Sequence, residues 1–267
     1  MNNLFCVFKL FILGLWAITE REIMKFVRQR ERFLSSLVRP SLWLFVFAVG
    51  SQNILGVSII EPYETYTPYQ EYILPGMIGI IILFQSMQSS LSMVYDREAG
   101  VMKVMLLSPL PRGVLLFGKM LASTILSFVQ IYIFLFIAAI FGISLPTSGL
   151  ILIIPAIFIC GFLLSSLGLC ITLYARQIEN FAGIMNFVVF PMFFLSSALY
   201  PLWKLRETGS EVLFQICLFN PFTHVVELLR YAAYSKFNLQ SASITMILSL
   251  LMFLIATNGY KAFRGKI

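Results

Sequence analysis

LILIIPAIFICGFLLSSLGLCITLY, residues 150–174, decides the fold, because it runs for 25 residues without a charge. A helix rises 1.5 Å per residue, so about 20 apolar residues cross the hydrocarbon core of a bilayer. The stretch has no alternation of apolar and polar residues such as a strand of a membrane barrel carries. It reads as a transmembrane helix.

The rest of the chain agrees with it. Of 267 residues 59% are hydrophobic and 12% charged, and the mean hydropathy is +0.89, far above what a soluble globule requires. The class is an all-α membrane protein. Six spans are expected, at about 38–56, 72–94, 120–143, 150–174, 181–200 and 242–259, with Pro40 in the first turn of the first.

The net charge of +7 is accounted for by topology. With both termini cytoplasmic, 15 of the 19 Lys and Arg fall on the inside, and Lys204, Arg206, Arg230 and Lys236 remain outside. The first outer loop carries Glu61, Glu64 and Glu71 and no base. Nucleic acid is not required as a partner. The four cysteines, Cys6, Cys160, Cys170 and Cys217, form no CxxC pair and read as small packing residues, with no disulfide framework and no metal site.

Residues 4–16 are apolar but too short to cross and contain Lys9; without a basic segment before it or a cleavage site after it, no cleaved signal peptide is expected. Residues 1–37 form the N-terminal interface region, and 38–267 the transmembrane domain. In the former, Thr19 and Glu22 read as a capping box. Ile23, Phe26, Val27, Phe33, Leu34 and Leu37 recur at helical spacing opposite Arg21, Lys25, Arg28 and Arg32. Such a helix lies in the membrane interface.

The last outer segment, residues 201–240, is long and apolar and breaks at Asn220-Pro221, an N-cap and first-turn pair. Two short re-entrant helices are expected there, with Glu227 and Arg230 paired on the second. His224, the single histidine, reads as a packing or capping residue; with Glu227 it is the nearest candidate for an enzyme site, and a thin one.

Ion-coupled carriers place acids, bases or histidine inside their spans. These six hold no Asp, Glu, Lys or Arg once their ends are trimmed, and no HExxH is present. GVLLFGKM, residues 113–120, spells GxxxxGK, but Met120 stands where a phosphate-binding loop needs a hydroxyl, and a span follows at once. It reads instead as the hinge by which a cytoplasmic loop re-enters the bilayer, with Lys119 anchored at the surface.

That loop is YDREAGVMKVMLLSPLPRGVLLFGK, residues 95–119. Asp96 and Glu98 suit the start of a short helix on which Val101, Val104 and Met105 repeat, and Pro109 and Pro111 stop it. It is either a docking element for a soluble partner or an ordinary interfacial loop.

The order of these features resembles the permease subunit of ABC-2 type exporters. Within that family PYETY, LFQSMQSSLSMVYDREAG, RQIENFAGIMNFVVFPMFFLSSALYPLW and NPFTHVVELLRYA are similar to a subgroup associated with quinoprotein (PQQ-dependent) alcohol catabolism in bacteria. Nearly the whole chain is covered. A faint likeness to the importer motif at Glu98 and Ala99 lacks its interior glycine. The resemblance implies a homodimer in the bacterial inner membrane, each copy docked to a separate ATP-binding subunit. This chain then binds no cofactor and is no enzyme; ATP and Mg belong to the partner. Docking is implied for a coupling helix with Asp96, Arg97, Glu98, Gly100, Lys103, Ser108, Pro109 and Arg112, and for an interface helix with Glu22, Lys25, Arg28 and Arg32. Asn220, Pro221, Glu227 and Arg230 are implied in outer helices that shape the exit for an apolar or lipid-like substrate. The alternative is a membrane scaffold that recruits a soluble partner without transport.

Overall fold

The computed structural model describes residues 2–50, 56–57, 62–63, 67–108, 110–175, 177–207 and 209–262. These hold eleven helices and one pair of two-residue strands, β1 (Gly56–Val57) and β2 (Thr67–Pro68), antiparallel. The helices are α1 (Asn2–Arg28), α2 (Arg30–Gly50), α3 (Tyr69–Glu98), α4 (Val101–Leu106), α5 (Arg112–Ile140), α6 (Thr147–Tyr174), α7 (Ile178–Phe194), α8 (Leu202–Glu207), α9 (Glu211–Phe219), α10 (Pro221–Ala233) and α11 (Leu239–Ala262).

Proline sets many of the starts. Helices α3, α5 and α6 each begin just after a proline in extended backbone, at Pro68, Pro111 and Pro146. A pyrrolidine cannot donate, so it costs least where the first amides have no helical acceptor.

By length and composition α3, α5, α6 and α11 can cross a membrane, and a fifth crossing results if α9 and α10, bent by 79° at Asn220, count as one broken span. Four of the expected spans thus fall on these helices. The expected first span is α2 as far as Gly50, and the rest of it lies outside the described residues. The expected fifth is α7, which has 17 residues and stops at Phe194.

Helices α3 and α6 form the centre: α3 packs on α2, α5, α6, α7 and α10, and α6 on α5, α10 and α11, while α1 lies along α5. The core runs through Tyr72, Ile73, Met77, Phe134, Phe193 and Phe222, all buried. Large apolar side chains face outward on the spans, among them Phe136, Ile151 and Leu250, as lipid contact requires. Close approach explains two glycines. A Cβ on Gly149 would stand 1.8 Å from the Ala233 carbonyl, and one on Gly76 2.7 Å from that of Ala198. Small residues at such crossings let backbones touch; Gly183, by contrast, has open space around it.

Several local expectations are corrected. Thr19 caps nothing: α1 runs through it unbroken, and its hydroxyl donates back to the Leu15 carbonyl at 2.8 Å. No breaker separates Trp16 from Thr19, so propagation, which gains a hydrogen bond per residue, continues. Pro40 lies in the interior of α2, beyond the first turn; the helix starts at Arg30 and passes residues 37 and 38 without a break. The segment 201–240 holds three helices, α8 to α10, where two were expected. Finally, Asp96 and Glu98 form the last turn of α3 and do not begin the loop helix. Gly100, at φ +72°, supplies the left-handed turn that separates α3 from α4.

Candidate functional site

The last turn of α3 carries Asp96, Arg97 and Glu98, and each reaches a different set of helices. Successive residues on a helix point about 100° apart, so three in a row face three directions. Around them the bundle has placed its acceptors and donors.

Asp96 faces α1 and α5. Its Oδ2 accepts from Lys119 Nζ at 2.9 Å, and its Oδ1 from Arg21 Nη2 and Lys25 Nζ, both at 3.0 Å. Lys119 also reaches Glu22 Oε1 at 3.0 Å, and Arg21 Nη1 reaches the same oxygen at 2.7 Å. Lys25 donates to Ser92 at 2.8 Å. Asp96 and Lys119 are each 4% exposed and Glu22 is 6%, so the two buried carboxylates rely on Lys119 together with Arg21 and Lys25 for their pairing. The charged side of α1 is thereby turned into the bundle. Lys119, expected at the surface, is an interior cross-link, and GVLLFGKM forms the first turns of α5 and no hinge.

Arg97 faces α6 and α11. It donates to the Thr172 and Ala175 carbonyls at 2.9 and 3.2 Å, at the end of α6, and to the Tyr260 hydroxyl at 2.9 Å. Arg112 donates to the Tyr260 carbonyl at 3.0 Å near the end of α11. Cations on terminal carbonyls satisfy both the orphan acceptors and the helix dipole. Glu98 takes the remaining direction, where its Oε1 accepts from the Ile178 amide at 2.9 Å and so caps the N-terminus of α7.

Helix α4 hangs from this hub. Met102 packs against Met93, Leu116, Met120 and Tyr260, and the Met105 sulfur lies 3.7 Å from Arg21 Nη1. On its other side Val101, Val104 and Leu107 are exposed, the last two at 69% and 84%. Ser108 closes the helix with a hydroxyl bond to the Met105 carbonyl at 2.7 Å. The side chain of Lys103 and all of Pro109 lie outside the described residues, as does the side chain of Arg32; Arg28 is exposed at the end of α1.

At the opposite end a second cluster surrounds residues 192–199, where α7 has stopped. Asn220 Nδ2 donates to the Met192 and Leu195 carbonyls at 2.8 and 2.6 Å, while its Oδ1 caps α10 by accepting from the Phe222 amide at 3.0 Å. Arg230 Nη2 and the Tyr72 hydroxyl both donate to the Ser197 carbonyl, at 2.7 and 2.9 Å, and the Tyr69 hydroxyl to that of Leu199 at 2.7 Å. Arg230 is buried, ion-paired to Glu227 as the spacing predicts, and stacked 4.2 Å over the Tyr72 ring. Irregular backbone is tolerated at membrane depth only where its polar groups find partners, and here four side chains from other helices provide them. Beside it, between α7 and α9, lies an open apolar groove of about 650 Å³ lined by Met192, Leu195, Val212, Ile216 and Phe219. His224 is half-buried on α10, and its neighbour Glu227 is taken up by Arg230.

Sequence reasoning named Asp96, Arg97 and Glu98 but missed Lys119 and Arg21 as their counterparts, and missed Tyr69, Tyr72 and Tyr260 entirely. The signal for Lys119 was present: it falls at helical spacing with Ser123, Ser127 and Gln130, a polar stripe along an otherwise apolar span.

Residues 14–234 match the family model described as ABC-2 type transporter, a stretch that takes in both clusters apart from Tyr260. Among curated proteins the chain is similar to "Putative transport permease ycf38" of Porphyra purpurea, 28% identical over 91% of this chain and 85% of that one. It is also similar to "Nodulation protein J" of Rhizobium leguminosarum bv. viciae, 28% identical over 74% and 73%. "Probable multidrug ABC transporter permease YbhR" of Escherichia coli (strain K12) is 28% identical over 77% of this chain and 55% of its own length.

Proposed function

This chain belongs to the ABC-2 type transporter family, and we propose that it is the permease half of an exporter in which α4 receives the push of a separate ATP-binding subunit. It is a membrane permease of an ABC transporter and not an enzyme; ATP and Mg are used by the partner. The finer reading has six spans with α2 and α7 among them, both termini in the cytoplasm, a location in the inner membrane and a second copy completing a homodimer.

One observation carries the coupling role: Asp96, Arg97 and Glu98, at the root of α4, bind α1, α5, α6, α7 and α11. A displacement of α4 therefore reaches those helices through short polar contacts. Docking is assigned to the exposed ridge Val101, Val104 and Leu107, to Ser108 and Arg28, and, from the sequence alone, to Lys103, Pro109 and Arg32. Asp96, Arg97, Glu98, Arg112, Glu22 and Lys25 transmit what the ridge receives. Gly100 supplies the joint. The outcome is a switch between two arrangements of the bundle, which the ligand-driven closure of the partner biases.

At the other end α9 and α10 are read as re-entrant helices, with Asn220, Pro221, Glu227 and Arg230 fixing their angle. The apolar groove beside Met192 suits an apolar or lipid-like substrate leaving toward the outer leaflet. The association with quinoprotein alcohol catabolism rests on the long strings quoted above and is checked by the neighbouring genes.

The test is reconstitution with the ATP-binding subunit. The expected result is a stable complex whose ATPase rate rises with the permease and with substrate. A complex that forms while its ATPase rate ignores the permease supports a scaffold; ATP hydrolysis by the purified chain, lost on changing Lys119, overturns the assignment of ATP to the partner.

A further inference from the structure

The ion-paired cluster does not end at Asp96. Helix α3 continues it into the bilayer with Ser92, Ser89, Gln88 and Gln85, one helical stripe. Helix α5 answers with Ser123 and Gln130, and the α1–α2 arm with Gln29 and Ser36. Gln130 Nε2 donates to Gln85 Oε1 and to Ser36 Oγ, both at 3.0 Å. A cavity of about 30 Å³ opens between the three walls, lined by Glu22, Lys25, Gln29, Gln88, Ser89 and Ser123 on its polar side and by Phe26 and Leu126 on its apolar side.

This cavity faces unmet hydrogen-bonding capacity. Ser123 Oγ and Gln88 Oε1 on its wall, and Gln130 Oε1 next to it, are buried without a partner among the described residues, and Ser123 is 1% exposed. Glu22 Oε2 receives a long 3.4 Å contact from Ser92. Leaving such groups dry is costly. Two of the orphan atoms are amide oxygens, so the missing ligand must donate. It must also be uncharged: an anion has no proton to donate to amide oxygens, and Arg21, Lys25 and Lys119 against Glu22 and Asp96 already leave one base in excess, which disfavours a further cation. A volume of about 30 Å³ takes one or two molecules the size of water, each of which needs two to four polar partners.

We infer that the cavity among α1, α3 and α5 is a water-binding site, which makes the contact between the α1–α2 arm and the two spans a wet seam and not a dry one. Hydrogen bonds to water are replaced at little cost when walls move, whereas direct bonds are not. The arm can then shift against α3 and α5 with its inner polar groups still satisfied. This inference holds whether or not the transport reading does.

The experiment is radiolytic footprinting of the full chain in lipid nanodiscs, in which hydroxyl radicals formed from bound water mark the side chains beside it. Leu126 and Phe26, 9% and 8% exposed, are expected to be marked at least about tenfold faster than Leu164 and Phe193, which are sealed in the dry core, because only a site with polar partners holds water. Ser123→Val, which removes an orphan group and fills the space with a methyl, should bring Leu126 down to the rate of Leu164; Gln88→Leu serves if that variant does not insert. Equal rates at Leu126 and Leu164 in the unaltered chain overturn the inference, as does a rate at Leu126 that neither substitution changes.

Discussion

Lys119 Nζ lies 2.9 Å from Asp96 Oδ2, a contact between residues 23 positions apart that closes the loop carrying α4 across its base. Both ends are shut away from solvent, so the pair is held by its neighbours and has no water to fall back on.

Breaking that pair from one side should therefore be costly. Lys119→Met leaves Glu22 and Asp96 with Arg21 and Lys25 only, and a buried charge robbed of its partner costs about 3–5 kcal/mol. Thermal unfolding in detergent should show a large loss of stability. Asp96→Asn combined with Lys119→Met should cost less than the sum of the two single changes, because the second substitution then has no direct pair left to break; strictly additive losses would show that the two side chains do not interact.

Arg97 makes a sharper test of transmission. It spans the Thr172 and Ala175 carbonyls and the Tyr260 hydroxyl with one planar fork, a geometry that an ammonium cannot reproduce. Arg97→Lys keeps the charge but not the reach. Insertion and assembly with the ATP-binding subunit should survive, while stimulation of its ATPase falls by about tenfold, equivalent to about 1.4 kcal/mol of lost coupling. Stimulation equal to that of the unaltered chain would remove Arg97 from the transmitting path.

The exposed ridge of α4 separates docking from folding. Val104 is 69% exposed, so Val104→Asp should change stability by no more than about 0.5 kcal/mol. If the ridge meets the partner, the same change buries an unpaired carboxylate in that interface and co-purification should be lost. A complex that persists through Val104→Asp and Leu107→Asp together places the docking surface elsewhere.

How legible all this was in the sequence depends on the range of the determinant. Asn220-Pro221 was readable because a cap and a first-turn proline are local, and the Glu227–Arg230 pair because helical spacing alone brings it together. Four spans were readable from apolar length. The end of α7 at Phe194 was not, since residues 195–200 contain no charge, glycine or proline to mark it. What ends the helix is a set of donors, Tyr69, Tyr72, Asn220 and Arg230, that arrive from other parts of the chain. Lys119 was misplaced for the same reason. A lysine at the head of an apolar run reads as a surface anchor, and Glu22, 97 positions away, together with Asp96 draws it inside.

Asn220 joins both scales, and its two functions can be parted by substitution. Its Oδ1 caps α10, worth about 1 kcal/mol, while its Nδ2 holds the Met192 and Leu195 carbonyls, which cost about 1–3 kcal/mol each if left buried and unpaired. Asn220→Ser keeps a capping oxygen but is too short to reach α7. Asn220→Ala loses everything. If the amide's chief work is to hold the broken end of α7 against α10, the serine variant should lie close to the alanine variant in thermal stability, and transport should fall with it even where the protein still inserts. If the cap dominates, serine should behave like the unaltered chain and only alanine should suffer. The geometry favours the first outcome, because two carbonyls outweigh one amide, and because the 79° bend between α9 and α10 has its corner at this residue.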